Sequence, residues 1–522
     1  MATRAQPLAA IHWTGAVLAA LVTLAVLGPL GAVMLRADWP PALGPADWAA
    51  IRFTLVQAAL SALVSVTLAI PVARALARRN FAGRRALVTL MGAPFLLPVI
   101  VAVLGLLAVF GRAGWLNEAL AALGAGRIDV YGLQGIVLAH VFLNLPLAVR
   151  LILQGWQAVP SERIRLATSL GFSSADMRRQ FERPILRATL PGAALLIFLI
   201  CTTSFAVALI LGGGPSSTTV ELAIYQAFRF DFDLGRAALL GLIQVGICLG
   251  AGALAFGAIR RQEVGAGLDR PALPWPGDTA RARALDVAAI FGAAAFLLLP
   301  LAAVLLKGLP AMGGLPTVVW EAALRSIVLA LASAALSVAL ALPIALLVTR
   351  LSRPGLVEGL AFLTIAVSPL VIGTGIFLLV RAVTNPIPLA LPVTGVVNAL
   401  VALPFLLRAL VPAAMEAEAT QGRLAEALGM SGLARLRHAI LPRLMRPLGF
   451  GAGLAAAFSM GDLGVIALFS TPGQGTLPLE MYRLMGSYRT DDAQGAAVLL
   501  MALTLALFWA FDRGGRLDAV AR

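Results

Sequence analysis

Lysine is almost missing from this chain: Lys307 is the only one, and Gly308 follows it. A GxxxxGK[ST] phosphate-binding loop needs a lysine followed by Ser or Thr, so no P-loop can be assembled here. Cysteine is nearly absent too. Cys201 and Cys248 both fall inside apolar runs, which suits small core residues and excludes a disulfide framework or a thiolate metal pair. The three histidines, His12, His140 and His438, stand far apart, and no HExxH, CxxC or GxSxG occurs. No catalytic residue, metal site or cofactor is expected. Charge is the last scarcity: only 12% of the 522 residues carry it, about half the fraction of a soluble domain.

What is abundant is apolar sequence, 60% of the chain. It comes in runs of about 20 residues, the length that spans a bilayer as a helix. The runs place spans at 13–35, 52–76, 86–110, 133–154, 189–212, 237–259, 287–306, 326–348, 359–380, 390–411, 447–469 and 495–511. This predicts an all-α polytopic protein of about twelve transmembrane helices. The first run is long for a signal peptide and reads as helix 1. A formal net charge of +15 is no mark of a nucleic-acid partner. The basic residues concentrate in alternate loops, those before span 1 and after each even-numbered span. By the positive-inside rule these loops and both termini are cytoplasmic, in the inner membrane of a bacterium, and membrane lipid surrounds the rest.

The two halves repeat one another. ALVSVTLAIPVARALAR (Ala62–Arg78) aligns with AALSVALALPIALLVTR (Ala334–Arg350), placing Pro71 on Pro343 at an offset of 272. LNLPLAVR aligns with VALPFLLR, placing Pro146 on Pro404 at an offset of 258. The difference reflects a longer loop in the first half, around Gly111–Gly132. The expected organisation is a first six-helix repeat over 1–265, a linker over 266–284 and a second repeat over 285–522. An even number of spans per repeat gives both the same orientation, with a path between them.

Two polar segments interrupt the apolar pattern. LATSLGFSSADMRRQFERPIL (Leu166–Leu186) and LAEALGMSGLARLRHAILPRL (Leu424–Leu444) share the offset of 258. Each lies between the fourth and fifth span of its half. In the first, Pro160-Ser161 opens a short helix, and Gly171 suits the left-handed residue that closes it. Ser173 with Asp176 resembles a capping box for a second helix. Pro184 ends that helix or begins the next span. Gly429, Ser431 and Pro442 repeat the arrangement. A paired element on one face implies a paired partner.

These segments resemble the EAA-x3-G-x9-I-x-LP loop of ABC importer permeases. RLATSLG…FERP and RLAEALG…AILP match its spacing, with Arg165 and Arg423 standing where the pattern has Glu. The resemblance covers nearly the whole chain, as two fused permease units. It implies that Arg165, Leu166, Ala167, Gly171 and Pro184, with Arg423, Leu424, Ala425, Gly429 and Pro442, form coupling loops. These would dock on two copies of a separate ATP-binding subunit. It also implies alternating access and a periplasmic solute-binding protein, which the loop at Gly212–Pro215 would contact.

The stretches Leu211–Gln244 and Phe458–Phe469 resemble thiamine and thiamine pyrophosphate permeases in particular. Ferric-iron importer permeases are the alternative, and a twelve-helix secondary carrier is a second one. Asp462 lies inside an apolar run between Gly461 and Gly464, and an intramembrane carboxylate is a functional candidate by default. It either faces the path or a gate, or caps a broken helix. Its counterpart at offset 258 is Ser204, so any such role is asymmetric. Arg150 and Arg408, equivalent at the same offset, are expected to snorkel toward headgroups.

Overall fold

The computed structural model describes residues 10–38, 43–92, 96–258, 279–351, 355–471 and 473–520. Among the described residues there is no strand. In chain order the helices are α1 (Ala10–Arg36), α2 (Pro45–Arg78), α3 (Arg84–Leu90), α4 (Val99–Phe110), α5 (Trp115–Ala122), α6 (Leu133–Gln157), α7 (Ser161–Ser169), α8 (Ser174–Met177), α9 (Arg183–Thr202), α10 (Phe205–Leu211), α11 (Val220–Arg229) and α12 (Leu234–Ala258). The second half continues with α13 (Ala280–Ala311), α14 (Thr317–Val348), α15 (Gly355–Ala366), α16 (Pro369–Arg381), α17 (Ala390–Ala427), α18 (Gly432–Arg435), α19 (Leu441–Gly461), α20 (Gly464–Phe469), α21 (Leu477–Gly486) and α22 (Thr490–Val520).

Eleven helical stretches among the described residues are long and apolar enough to cross a membrane. One of them overlaps each expected span but the ninth, although the third, 86–110, is divided as well, α3 ending at Leu90 and α4 opening at Val99. The ninth, 359–380, is two short helices, α15 and α16, parted at Val367-Ser368. Ser368 caps α16 by accepting from the Leu370 N–H at 3.2 Å, and Pro369 takes the first helical position, where its missing N–H costs nothing. The chain is thus a polytopic all-α membrane protein. The expected linker 266–284 lies outside the described residues up to 278, and α13 opens at Ala280.

The described contacts divide into two compact units, and the division crosses the sequence repeat. One unit comprises Leu43–Ala223 with Gly246–Pro310, and the other Met1–Ala42, Ile224–Val245 and Ala311–Arg522. Helix α1 therefore packs with second-half helices, and α13 with first-half helices.

In the first of these units the core is the facing surfaces of α2, α6 and α9. Leu76, Phe142, Ile152 and Ile197 are fully buried there, and α13 adds Ala293 and Leu297 to the same cluster. Phe296 of α13 meets Phe142 edge-on, with centroids 5.8 Å apart. Gly105 of α4 sits against the Pro300 carbonyl, where a Cβ would come within 2.7 Å. Small residues allow such backbone approach between membrane helices.

The other unit is built alike. Helices α14, α17, α19 and α22 form its core, with α1 and α16 against them. Gly375 of α16 presses on the Pro29 carbonyl of α1, as Gly105 does on Pro300. Helix α17 has 38 residues and is about 57 Å long, nearly twice the ~30 Å hydrocarbon core. Its last turns carry the second polar segment beyond the apolar length.

Candidate functional site

The two polar segments adopt the same backbone at their glycines. Helix α7 ends with the Phe172 N–H donating to the Ala167 carbonyl (3.0 Å) and the Gly171 N–H to that of Thr168 (3.1 Å). Near the end of α17, Met430 donates to Ala425 (2.8 Å) and Gly429 to Glu426 (3.0 Å). Both are Schellman closures, which need a left-handed residue after the cap. Gly171 and Gly429 supply it, each with φ +67°.

The side chains around these turns also correspond. Ala167 and Ala425 are buried, 3% and 2% exposed. Leu166 and Leu170 stand out at 60% and 64%, and their equivalents Leu424 and Leu428 at 57% and 63%. Arg165 and Arg423 are exposed beside them. Each segment thus presents two bare leucines one helical turn apart, flanked by a guanidinium. Such an arrangement suits docking into an apolar groove.

The copies differ in how they are joined to the helix before them. Pro160 separates α7 from α6, whereas its counterpart Glu418 leaves α17 unbroken. Ser173 caps α8: the Asp176 N–H reaches its Oγ at 3.3 Å, and the Ser173 N–H reaches Asp176 Oδ2 at 2.9 Å. Ser431 makes no side-chain cap bond, and with Ala434 at the position of Asp176 the reciprocal carboxylate contact is lost as well. After both caps comes a wide π turn, Arg178–Glu182 and Leu436–Ile440. Pro184 and Pro442 follow, each at the second position of the next helix. The wider turn keeps the proline ring off the carbonyl four residues back, so the helix runs on into the fifth span.

Ion pairs tie each segment to the end of the second helix of its half. Arg74 of α2 meets Glu182 at 2.9 Å. Arg350, just past α14, meets Glu418 at 2.8 Å. Arg435 binds the same Glu418 and reaches Glu426 at 3.3 Å.

Both fifth spans break where Ser204 and Asp462 stand. Ser204 precedes α10, and Asp462 ends α19. Asp462 Oδ1 accepts from the Gly464 N–H at 3.2 Å, which caps the new start. Its Oδ2 is sealed and has no hydrogen-bond partner among the described residues, while the residue as a whole is half-buried. Arg150 and Arg408 are both exposed.

Just before these breaks lie two buried polar clusters that the residue-by-residue reading missed. Ser61 Oγ and His140 Nδ1 are 3.1 Å apart, and Asn144 Nδ2 donates to the His140 carbonyl (2.9 Å) and to Cys201 Sγ (3.4 Å). In the other unit, Asn398 Nδ2 donates to Ser459 Oγ, and Ser459 Oγ to Ser333 Oγ, both at 3.1 Å. The repeat offsets carry Ser61 onto Ser333, His140 onto Asn398 and Cys201 onto Ser459. Those offsets were the signal that could have found them. Thr54 and Ser326 correspond too, accepting from the N–H of Val220 and of Leu477, each at 2.8 Å. These bonds hang the short helices α11 and α21 from the second helix of each half. Glu221 of α11 is fully buried, another carboxylate that sequence inspection passed over. Burial also pushes the phenols of Tyr225 and Tyr482, on α11 and α21, above their ordinary value.

No protein-family model matches the chain. Individual relatives do. The thiamine transport system permease protein ThiP of Escherichia coli K12 is 39% identical over 535 aligned positions, covering 98% of each chain. ThiP of Brucella abortus 2308 is 40% identical over 476, covering 89% of this chain and 87% of its own. The molybdenum transport system permease protein ModB of Mycobacterium bovis is 29% identical over 233, covering 88% of itself but 43% of this chain. With identity of that order sustained from end to end, the chain belongs to the ThiP family of thiamine transport system permease proteins.

Proposed function

We propose that the chain is the membrane-spanning subunit of an ATP-driven importer that carries thiamine, or thiamine pyrophosphate, from periplasm to cytoplasm. Both termini and the two polar segments face the cytoplasm of an inner membrane. The sequence divides into repeats at 1–265 and 285–522, a reading supported by the match of 88% of ModB to 43% of the chain. ATP is hydrolysed on a partner, since a chain with Lys307 as its sole lysine has no P-loop. A solute-binding protein delivers cargo at the outer face, where the Gly212–Pro215 loop meets it.

The observation that carries this reading is the matched pair of segments around Gly171 and Gly429. Two equal docking surfaces fit two equal ATPase subunits. Leu166, Leu170, Leu424 and Leu428 enter grooves on them, with Arg165 and Arg423 at the rims and Ala167 and Ala425 packed inward. Closure of the ATPase pair moves both segments. The Arg74–Glu182 and Arg350–Glu418 pairs pass that movement to α2 and α14, and the helix running on through Pro184 or Pro442 passes it to the fifth spans. Alternating access follows as a shift between two populated arrangements.

Thiamine carries a fixed positive charge on its thiazolium ring. Asp462 is the acceptor for it in or beside the path, with Oδ1 holding the helix break and Oδ2, sealed in this arrangement, uncovered as the path opens. Ser204 marks the matching break without a charge.

The test is uptake of labelled thiamine by cells unable to synthesise it, with and without this gene. Loss of uptake on deletion, restored by the intact gene, is the expected result. Undiminished uptake in cells lacking any second thiamine importer would overturn the solute assignment.

A further inference from the structure

The unit containing α2, α6 and α13 has a groove of about 660 Å³. Its lining is apolar apart from Gln134. On α2 it runs from Leu60 to Val72, about 18 Å along the axis. One leaflet of the hydrocarbon core is about 15 Å deep, so the α2 wall has the length of an acyl chain, while on α6 the lining goes on outward to Leu133 at the start of that helix.

The equivalent place in the other unit is shut. Pro71 corresponds to Pro343, and there Gly15 of α1 lies directly on the Pro343 carbonyl. Helices α1 and α13 play the same part elsewhere, setting Pro29 on Gly375 and Pro300 on Gly105. Only α13 stands away from its second helix, leaving Pro71 exposed in the groove wall.

An apolar groove by itself does not select one lipid, because bulk tails are equally apolar. Selection has to come from the end of the groove. Arg78 lies two turns beyond Pro71 on the same face of α2, about 10 Å further along. On α13, Asp286 continues the stripe of Ala289, Ala293 and Phe296 at helical spacing. Asp286 binds Arg79 at 2.7 Å, and Glu182 binds Arg74 at 2.9 Å. Both acids are therefore engaged. Arg78 stands in the field of the same two acids, but they are shared among Arg74, Arg78 and Arg79, and the Arg78 Nε is buried without a hydrogen-bond partner among the described residues. Arg84 leans in, its Nε donating to the Leu76 carbonyl at 2.9 Å. Two guanidinium groups thus exceed the acids at the mouth of the groove.

We propose that this groove binds an anionic phospholipid of the cytoplasmic leaflet, one acyl chain lying between α2, α6 and α13 and the phosphate on Arg78 and Arg84. The leaflet follows from the orientation proposed above. The binding itself does not depend on which solute is carried. A basic cluster beside a helix groove on that side is suited to an anionic headgroup. The lipid fills the space that α1 fills in the other unit, and braces α13 against α2.

The experiment uses the full-length protein purified in detergent and exchanged against vesicles of phosphatidylglycerol or of phosphatidylcholine. Bound phospholipid is counted by native mass spectrometry. Phosphatidylglycerol is retained through dissociation conditions that strip phosphatidylcholine. Arg78→Gln weakens phosphatidylglycerol retention about fivefold and leaves phosphatidylcholine unchanged. Gly292→Phe fills the groove and abolishes retention; a Cβ at Gly292 meets nothing within 4 Å, so the ring enters open space. Equal retention of the two lipids by the wild-type protein would overturn the proposal. So would phosphatidylglycerol retention untouched by Arg78→Gln.

Discussion

Replacing Gly171 or Gly429 by valine isolates the turn of a polar segment from everything around it. Both residues have φ +67°, and a Cβ added at either meets nothing within 4 Å. No neighbour has to move, so the whole effect is backbone strain. The left-handed conformation costs an ordinary L-residue about 1–2 kcal/mol, and a β-branched residue there is a genuine outlier. A cost of about 1–2 kcal/mol shifts a two-state balance by about 5–30-fold, here away from the closed turn. Membrane insertion rests on the apolar spans and is unaffected. In proteoliposomes holding the variant and its ATPase, and supplied with the solute-binding protein, ATP-driven thiamine uptake falls at least fivefold at equal protein content. Asparagine tolerates the left-handed region, so Gly171→Asn and Gly429→Asn retain most of the uptake. Full transport by the valine variants would refute the coupling role of the turns. An equal loss with asparagine would show that strain was not the cause.

Three further outcomes follow from the same geometry. Glu182→Gln weakens one charge-assisted pair and Glu418→Gln two, each worth about 1 kcal/mol after allowing for the partly exposed arginines; ATP hydrolysis by the assembled complex continues while uptake drops, which parallel phosphate-release and uptake assays would register. Leu166→Ala with Leu424→Ala leaves the melting temperature of the isolated permease unchanged, since both side chains are exposed, but lowers the affinity at each docking site at least tenfold, a leucine fully buried on docking contributing about 1.5–3 kcal/mol; surface plasmon resonance checks this. Asp462→Asn keeps the bond to the Gly464 N–H and removes the charge, so KM for thiamine rises while protein stability holds, whereas Asp462→Ala also loses the cap and about 1 kcal/mol; an unchanged KM in the asparagine variant would leave Asp462 a cap alone.

Much of the fold could be read from the chain because lipid imposes a coarse code. A run of about 20 apolar residues has few alternatives to a spanning helix. The break in the ninth span was hidden for a specific reason. Pro369 marks it, yet Pro71, Pro146, Pro343 and Pro404 all sit inside unbroken helices. Proline in a membrane helix is therefore a poor stop signal, and only the capping bond of Ser368 distinguishes this one. The exchange of α1 and α13 was equally out of reach. Their sequences show that they span, but composition does not say which helices they pack against. The left-handed glycines were legible because φ > 0 is a demand that few residues meet. The polar clusters were not, since a serine or cysteine in an apolar run draws no notice until the offset brings its partner into register.

The repeat has kept its likeness unevenly, and the pattern follows what each part has to meet. At the two polar segments the correspondence reaches individual side chains: arginine on arginine, leucine on leucine, buried alanine on buried alanine, and glycine on glycine at one φ. Inside the helices the positions persist while the chemistry changes. His140 corresponds to Asn398, Cys201 to Ser459 and Ser204 to Asp462. A backbone break retained at both fifth spans, with a carboxylate at only one of them, is a structural requirement met twice and a charge requirement met once. Under the proposed function this is the expected division. The partners at one face are two copies of a single subunit, so both docking surfaces answer to the same constraint. The solute is one molecule with its charge at one end, and it imposes no two-fold constraint on the residues it passes. A permease serving a symmetric motor and an asymmetric cargo is free to diverge only where the motor does not touch it.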